Sequence, residues 1–137
     1  CENETLNIIF SSYADNAKAS EIPITISVTA TDFSRFQITD LCSLLSNALD
    51  NAIRACSQIP YTEGRYIHLK VYEKNEQLCI NLANSYGKQL VFENNIPISQ
   101  RSGHGYGVQS IISVIDKYQG IYGFFAENGE FRFQASL

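Results

Sequence analysis

Leu41-Cys42-Ser43-Leu44-Leu45-Ser46-Asn47-Ala48-Leu49-Asp50-Asn51-Ala52-Ile53-Arg54-Ala55-Cys56 is the stretch on which the reading of this chain turns. Leu41, Leu44, Leu45, Ala48, Leu49, Ala52 and Ala55 recur at helical spacing and form a continuous apolar face up to Cys56, ahead of Pro60. Thr39 or Asp40 is suited to cap the start of this helix. Away from the apolar face, Asn47, Asn51 and Arg54 stand at i, i+4 and i+7, so they line one stripe.

Outward from this helix, the chain alternates between two periods. Leu6, Ile9, Phe10 and Tyr13 place a helix over roughly residues 5–19, and Ile24, Ile26 and Val28 after Pro23 read as a strand. Beyond Pro60, Ile67, Leu69 and Val71 alternate with polar neighbours, and Leu78, Ile80 and Leu82 repeat the pattern across a turn at Lys74-Asn75-Glu76. From Ser85 to about His104 the periodicity disappears, which is long for a loop inside a compact domain. Gly107 then leads into a helix with Val108, Ile111, Ile112 and Ile115 on one face, ending at Gly120. A last hairpin turns at Asn128-Gly129, and Phe131, Phe133, Ala135 and Leu137 alternate in its second strand. Alternating rather than uniformly apolar strands call for one covered sheet face, hence one sheet with three helices on one side.

The 137 residues fit a single domain, residues 1–137, with no linker or internal repeat. With 45% hydrophobic and 18% charged residues, the chain has material for a real core. A formal charge of −4 without clustered Lys and Arg excludes a nucleic-acid or polybasic membrane surface. Cys1, Cys42, Cys56 and Cys79 form no C-x-x-C pair, so neither a zinc site nor a disulfide framework is expected. The chain begins at Cys1 rather than Met and reads as a fragment of a longer protein.

Two features carry candidate chemistry. Asn47 and Asn51 offer amide oxygens, hard ligands that suit Mg²⁺ alongside phosphate oxygens, and Arg54 offers charge-assisted hydrogen bonds to phosphate. A plain solvated helix face explains the same stripe equally well when it is taken alone. The second feature is Gly103-His104-Gly105-Tyr106-Gly107, directly before a helix. There, side-chain-free backbone and free N–H groups favour an anion. A flexible loop with a capped helix start is the plainer explanation of these glycines.

Together the two segments closely resemble the gyrase, chaperone, histidine-kinase and mismatch-repair ATP-binding superfamily (GHKL, Bergerat fold), and within it sensor kinases of the Agr-type, peptide-pheromone-sensing group. Leu44 to Cys56 looks like that group's N-box, and Gly103 to Ile111 like its second glycine box. The resemblance covers nearly the whole chain. It implies an α/β (α+β) two-layer sandwich, with a mixed, mainly antiparallel sheet and ATP held between helices and sheet. By match, Asn51 is the Mg²⁺ ligand, Asn47 supports it, and Arg54 faces phosphate. Gly103, His104, Gly105, Tyr106, Gly107 and Val108 wrap the phosphates, and the irregular stretch before Gly103 is a lid. Hydrolysing members carry Glu where Asn47 stands; an amide cannot take a proton from water, so transfer to an external acceptor is expected.

The first glycine box departs from the pattern. Asn84 takes the place of the Asp that accepts a hydrogen bond from the adenine amino group, and only Gly87 follows it closely. The strand period points Asn84 to the same face as Leu78, Ile80 and Leu82. Neither His68 nor His104 resembles a phosphoacceptor, so that histidine, the dimer contacts and the sensor are expected before Cys1. The implied whole is a membrane-bound homodimer whose cytoplasmic catalytic part this is, working with an upstream dimerisation and phosphoacceptor segment and a response regulator. Two alternatives stand behind it: a degenerate relative acting as a protein-interaction module, and, ranked lower, a serine kinase of the anti-sigma-factor type.

Overall fold

The computed structural model describes residues 1–87, 91–98 and 106–137. Its elements are α1 (Glu4–Ala19), β1 (Ile24–Val28), α2 (Ile38–Ser57), β2 (Ile67–Lys74), β3 (Gln77–Ser85), β4 (Val91–Glu93), β5 (Ile96–Ile98), α3 (Tyr106–Lys117), β6 (Ile121–Glu127) and β7 (Glu130–Ser136). Five strands form one sheet in the order β1-β2-β3-β7-β6. β1 pairs in parallel with β2, and the other three pairs are antiparallel. The sheet is therefore mixed and mainly antiparallel, as expected.

Side-chain alternation decides which sheet face the helices cover. Ile67, Leu69 and Val71 of β2, Leu78, Ile80 and Leu82 of β3, and Phe133 and Ala135 of β7 are buried. They meet Leu41, Leu44, Leu45 and Leu49 of α2, Leu6 and Phe10 of α1, and Ile111 and Ile115 of α3 in one hydrophobic core. Removing each such side chain from water is worth about 1.5–3 kcal/mol, which holds the two layers together. His68 lies on the other, exposed face, its ring 5.2 Å from that of Tyr66.

Local signals set the turns. Asn75 and Glu76 (φ 53° and 65°) join β2 to β3, and Asn128 and Gly129 (φ 52° and 79°) join β6 to β7. Both sites hold the consecutive left-handed residues that a two-residue hairpin needs. After α3 the left-handed residue is Gln119 (φ 57°), not Gly120. Gly120 is required for a different reason: a Cβ there would lie 2.5 Å from the Ser136 carbonyl oxygen of β7.

Two expectations need correction. α2 begins at Ile38 with Gln37 as its cap position, and no side chain of Gln37 closes it. Thr39 and Asp40 lie inside the first turn instead. The second correction concerns the irregular stretch after Ser85, which holds an antiparallel hairpin, β4 with β5, around Asn94 and Asn95 (φ 53° and 63°). Residues 88–90 and 99–105 of that stretch, including Gly103, His104 and Gly105, lie outside the described residues.

Candidate nucleotide site

α2 lays out the site along its length. Asn47 and Asn51 are half-buried on its polar stripe and Arg54 is exposed. The Asn47 amide nitrogen donates to the Ser43 carbonyl oxygen at 2.8 Å, one turn earlier. Arg54 Nη1 donates to Asn51 Oδ1 at 3.2 Å, so this amide oxygen already faces positive charge.

α3 closes one side of the stripe. A Cβ on Gly107 would stand 3.3 Å from Asn47 Oδ1 and 3.6 Å from Asn51 Oδ1. The backbone at the start of α3 thus runs directly over the two amides, an approach that a side chain would crowd. Two segments separated by more than fifty residues in sequence meet here, the N-terminal turn of one helix and the polar stripe of another. Val108 follows, partly buried against the core, and Tyr106 is the first residue of α3.

The other end of the site lies where α2 finishes against β3. Cys56 stands five residues past Asn51, about 7–8 Å further along the helix. Its thiol Sγ lies 3.3 Å from the carbonyl oxygens of both Tyr66 and Ser85. Ser85 Oγ accepts a 3.0 Å bond from the Tyr66 backbone N–H, and Tyr66 Oη donates to Glu130 Oε1 at 2.8 Å. Burial, reinforced by the Glu130 carboxylate, pushes the Tyr66 phenol up to about 12. The Arg132 guanidinium, with Tyr66 beside it, holds Glu130 below the usual carboxylate value.

Asn84 is buried at 1% exposure on the core side, as its strand position predicts. Its Nδ2 donates to the Ser85 carbonyl oxygen at 2.9 Å. That bond commits the donor end of the carboxamide to the protein, so an incoming amino group would have to meet the oxygen. Gly87, the remnant of the first glycine box, packs against the chain just past α2. A Cβ there would meet Ile59 Cα at 3.0 Å and the Gln58 carbonyl oxygen at 3.1 Å.

The structure therefore brings Asn47, Asn51 and Gly107 together at the middle of α2, with Arg54 on Asn51, and sets Asn84 with Ser85, Cys56 and Tyr66 at its C-terminal end. Cys56, which ends the apolar face of α2, is fully buried and also hydrogen-bonded. Ser85 and Tyr66 went unnoticed as parts of the site, because only strand register shows that they adjoin. Among the described residues, no helix is long and apolar enough to cross a membrane.

Comparison with known proteins agrees with this fold. Among solved structures, the catalytic domain of the histidine kinase ThkA superposes with a TM-score of 0.73 at 16% identity, over 99% of this chain and 91% of that one. The mycobacterial sensor histidine kinase MprB matches with a TM-score of 0.68 at 16% identity, over 97% and 93% of the two chains. The Acinetobacter baumannii histidine kinase AdeS matches with a TM-score of 0.70 at 12% identity, over 96% of this chain and 61% of that one. Among curated proteins, none matches this chain in sequence. The family model described as the GHKL domain matches residues 36–137, which take in α2, the sheet from β2 onward and α3. Carrying that match over most of its length, on a fold shared with histidine kinase catalytic domains, the chain belongs to the GHKL family.

Proposed function

We propose that this chain is the ATP-binding catalytic domain of a two-component sensor histidine kinase. It would transfer the γ-phosphoryl group of Mg·ATP to a histidine on another segment of its parent protein. The observation that carries this reading is the approach of the Gly107 backbone to Asn47 and Asn51. A polar helix stripe and a glycine-bearing helix start, each unremarkable alone, form one anion- and cation-compatible cleft when they meet.

The residues present fit the ligand. Asn51 and Asn47 supply amide oxygens, hard donors suited to Mg²⁺ once Arg54 leaves the Asn51 oxygen, and Gly107 leaves room for phosphate oxygens. Bound with the nucleotide, Mg²⁺ supplies neutralisation of the triphosphate charge. Arg54, now on the Asn51 oxygen, would supply charge-assisted hydrogen bonds to a phosphate bound there. Gly103, His104, Gly105, Tyr106 and Val108 are assigned to the phosphate-side wall by the same motif. At the other end, Asn84 would accept a hydrogen bond from the adenine amino group through its amide oxygen, its nitrogen being bonded to Ser85. Asn47 cannot act as a general base, because its amide nitrogen is tied to Ser43 and its oxygen binds protons poorly. The domain thus holds the donor in place while the acceptor histidine arrives from elsewhere, and positioning supplies most of the rate.

The parent protein, on this reading, is a membrane-anchored homodimer of the Agr-type group, with this domain on the cytoplasmic side and a response regulator downstream. Calorimetric titration with ATP, with and without Mg²⁺, tests the reading. Mg²⁺-dependent binding supports it, and absence of binding at millimolar nucleotide counts against it. Phosphoryl transfer from labelled ATP to the acceptor segment of the parent protein, supplied in trans, tests the chemistry.

A further inference from the structure

The helix that carries the two asparagines is capped by the helix that carries Gly107. The backbone N–H of Gln37, the cap residue just before α2, donates to Tyr118 Oη at 2.9 Å, just past the end of α3. Tyr118 Oη in turn donates to Asp40 Oδ2 at 2.5 Å. Lys117 Nζ reaches the same carboxylate oxygen at 2.8 Å and Gln37 Oε1 at 3.0 Å. The Tyr118 ring is fixed edge-on against Phe36, with centroids 4.9 Å apart.

We propose that Tyr118, Asp40 and Lys117 form a positioning clamp for the nucleotide site, locking the C-terminal end of α3 onto the N-terminal end of α2. The clamp rests on the nucleotide reading above and says what holds that site in shape. Gly107 lies ten residues before Lys117, about 15 Å along α3, and Asn47 lies seven residues past Asp40, about 10 Å along α2. The two helices are therefore antiparallel and touch at both ends. Between these points Ile111 and Ile115 pack α3 into the core beside α2, and the bonds at Tyr118 and Lys117 fix the direction in which the packed helix runs.

The three residues do not contribute equally. Lys117 is half-exposed, with 51% of its side chain open to solvent, so its ion pair is screened and adds little. The Tyr118 hydroxyl is part-buried and serves as both donor and acceptor. It accepts from the backbone N–H of Gln37, the cap residue whose own side chain makes no capping bond, and donates to Asp40 in the first turn of α2. Tyr118 is thus the principal positioning residue and Lys117 an accessory.

The test is calorimetric titration of the whole domain with Mg·ATP. Tyr118→Phe should weaken binding roughly threefold to tenfold, the range for residues that act on a site through packing, and Lys117→Ala should weaken it less than about twofold. In a double-mutant cycle, the losses from Tyr118→Phe and Gly107→Ala should not add, because both disturb the same helix placement. Ile26→Val, on the sheet edge farthest from β6 and α3, serves as a control for general destabilisation and should keep full affinity. If Tyr118→Phe does not fold, Asp40→Asn carries the same expectation. Unchanged affinity in Tyr118→Phe with an additive cycle overturns the clamp and leaves the nucleotide reading intact. A wild-type domain that binds no nucleotide overturns that reading, and the clamp with it.

Discussion

The two ends of the candidate site, one at the middle of α2 and one at its C-terminus, are built from different material. At the Cys56 end the site is part of the core: Asn84 and Ser85 are buried on β3, and thiol, hydroxyl and backbone groups bond to one another across α2, β2 and β3. At the Asn47 end it consists of half-exposed side chains on one helix and the backbone of another. The first end cannot be changed without disturbing the fold, because a buried polar group left without its partner costs the full desolvation penalty. The second can be changed at little cost to folding. Under the proposed function, a rigid floor would grip the base while the phosphates met a part that can adjust.

Four substitutions or titrations probe that contrast. Gly87→Val should destabilise the domain by about 2–3 kcal/mol, since the new side chain collides with backbone at Gln58 and Ile59; a denaturant midpoint equal to wild type would show that the floor is softer than drawn. Asn51→Ala should cost more than about tenfold in Mg·ATP affinity, or roughly 1.4 kcal/mol, with an unchanged or slightly raised melting temperature, because Ala is the better helix former. A matching loss of folding stability would erase the distinction between the two ends. Ser85→Ala removes the acceptor for the Tyr66 N–H and should lower stability by about 1 kcal/mol, with base affinity falling alongside it.

The smallest effect sharpens the contrast through pH. The folded Tyr66 phenol titrates at about 12 against an ordinary 10.0, so the folded state holds its proton more tightly than the unfolded chain does. The stability this represents is fully present below pH 10 and is lost as the pH rises from there to about 12. Stability measured from pH 9 to 12 should therefore fall more steeply in the wild type than in Tyr66→Phe. Equal slopes would detach Tyr66 from the buried floor.

How far the site can be read in advance follows from how far each interaction reaches along the chain. The stripe of Asn47, Asn51 and Arg54 is legible because helical periodicity is a local property. Asn84 is equally legible, since strand alternation alone sends it to the core side. The β4–β5 hairpin escapes the same treatment: with three residues per strand, and Pro97 in the second, no period can be established. Its one local signal is Asn94-Asn95, a pair suited to a left-handed two-residue turn. The start of α2 was misplaced for the opposite reason. Thr39 and Asp40 have the chemistry of caps, but the cap comes from Tyr118, 81 positions away from Gln37.

By itself, the sequence determined the helices and long strands, the hairpin turns at Asn75-Glu76 and Asn128-Gly129, the face each strand buries, and the polar stripe of α2. All of these follow from backbone periodicity and steric preference within a few residues. Tertiary structure alone decided that β1 pairs in parallel with β2, that Gly107 lies over Asn47 and Asn51, that Cys56 meets Ser85, and that α3 caps α2. Each of these joins groups far apart in the chain, and such contacts form only when burial of the common core brings their elements together.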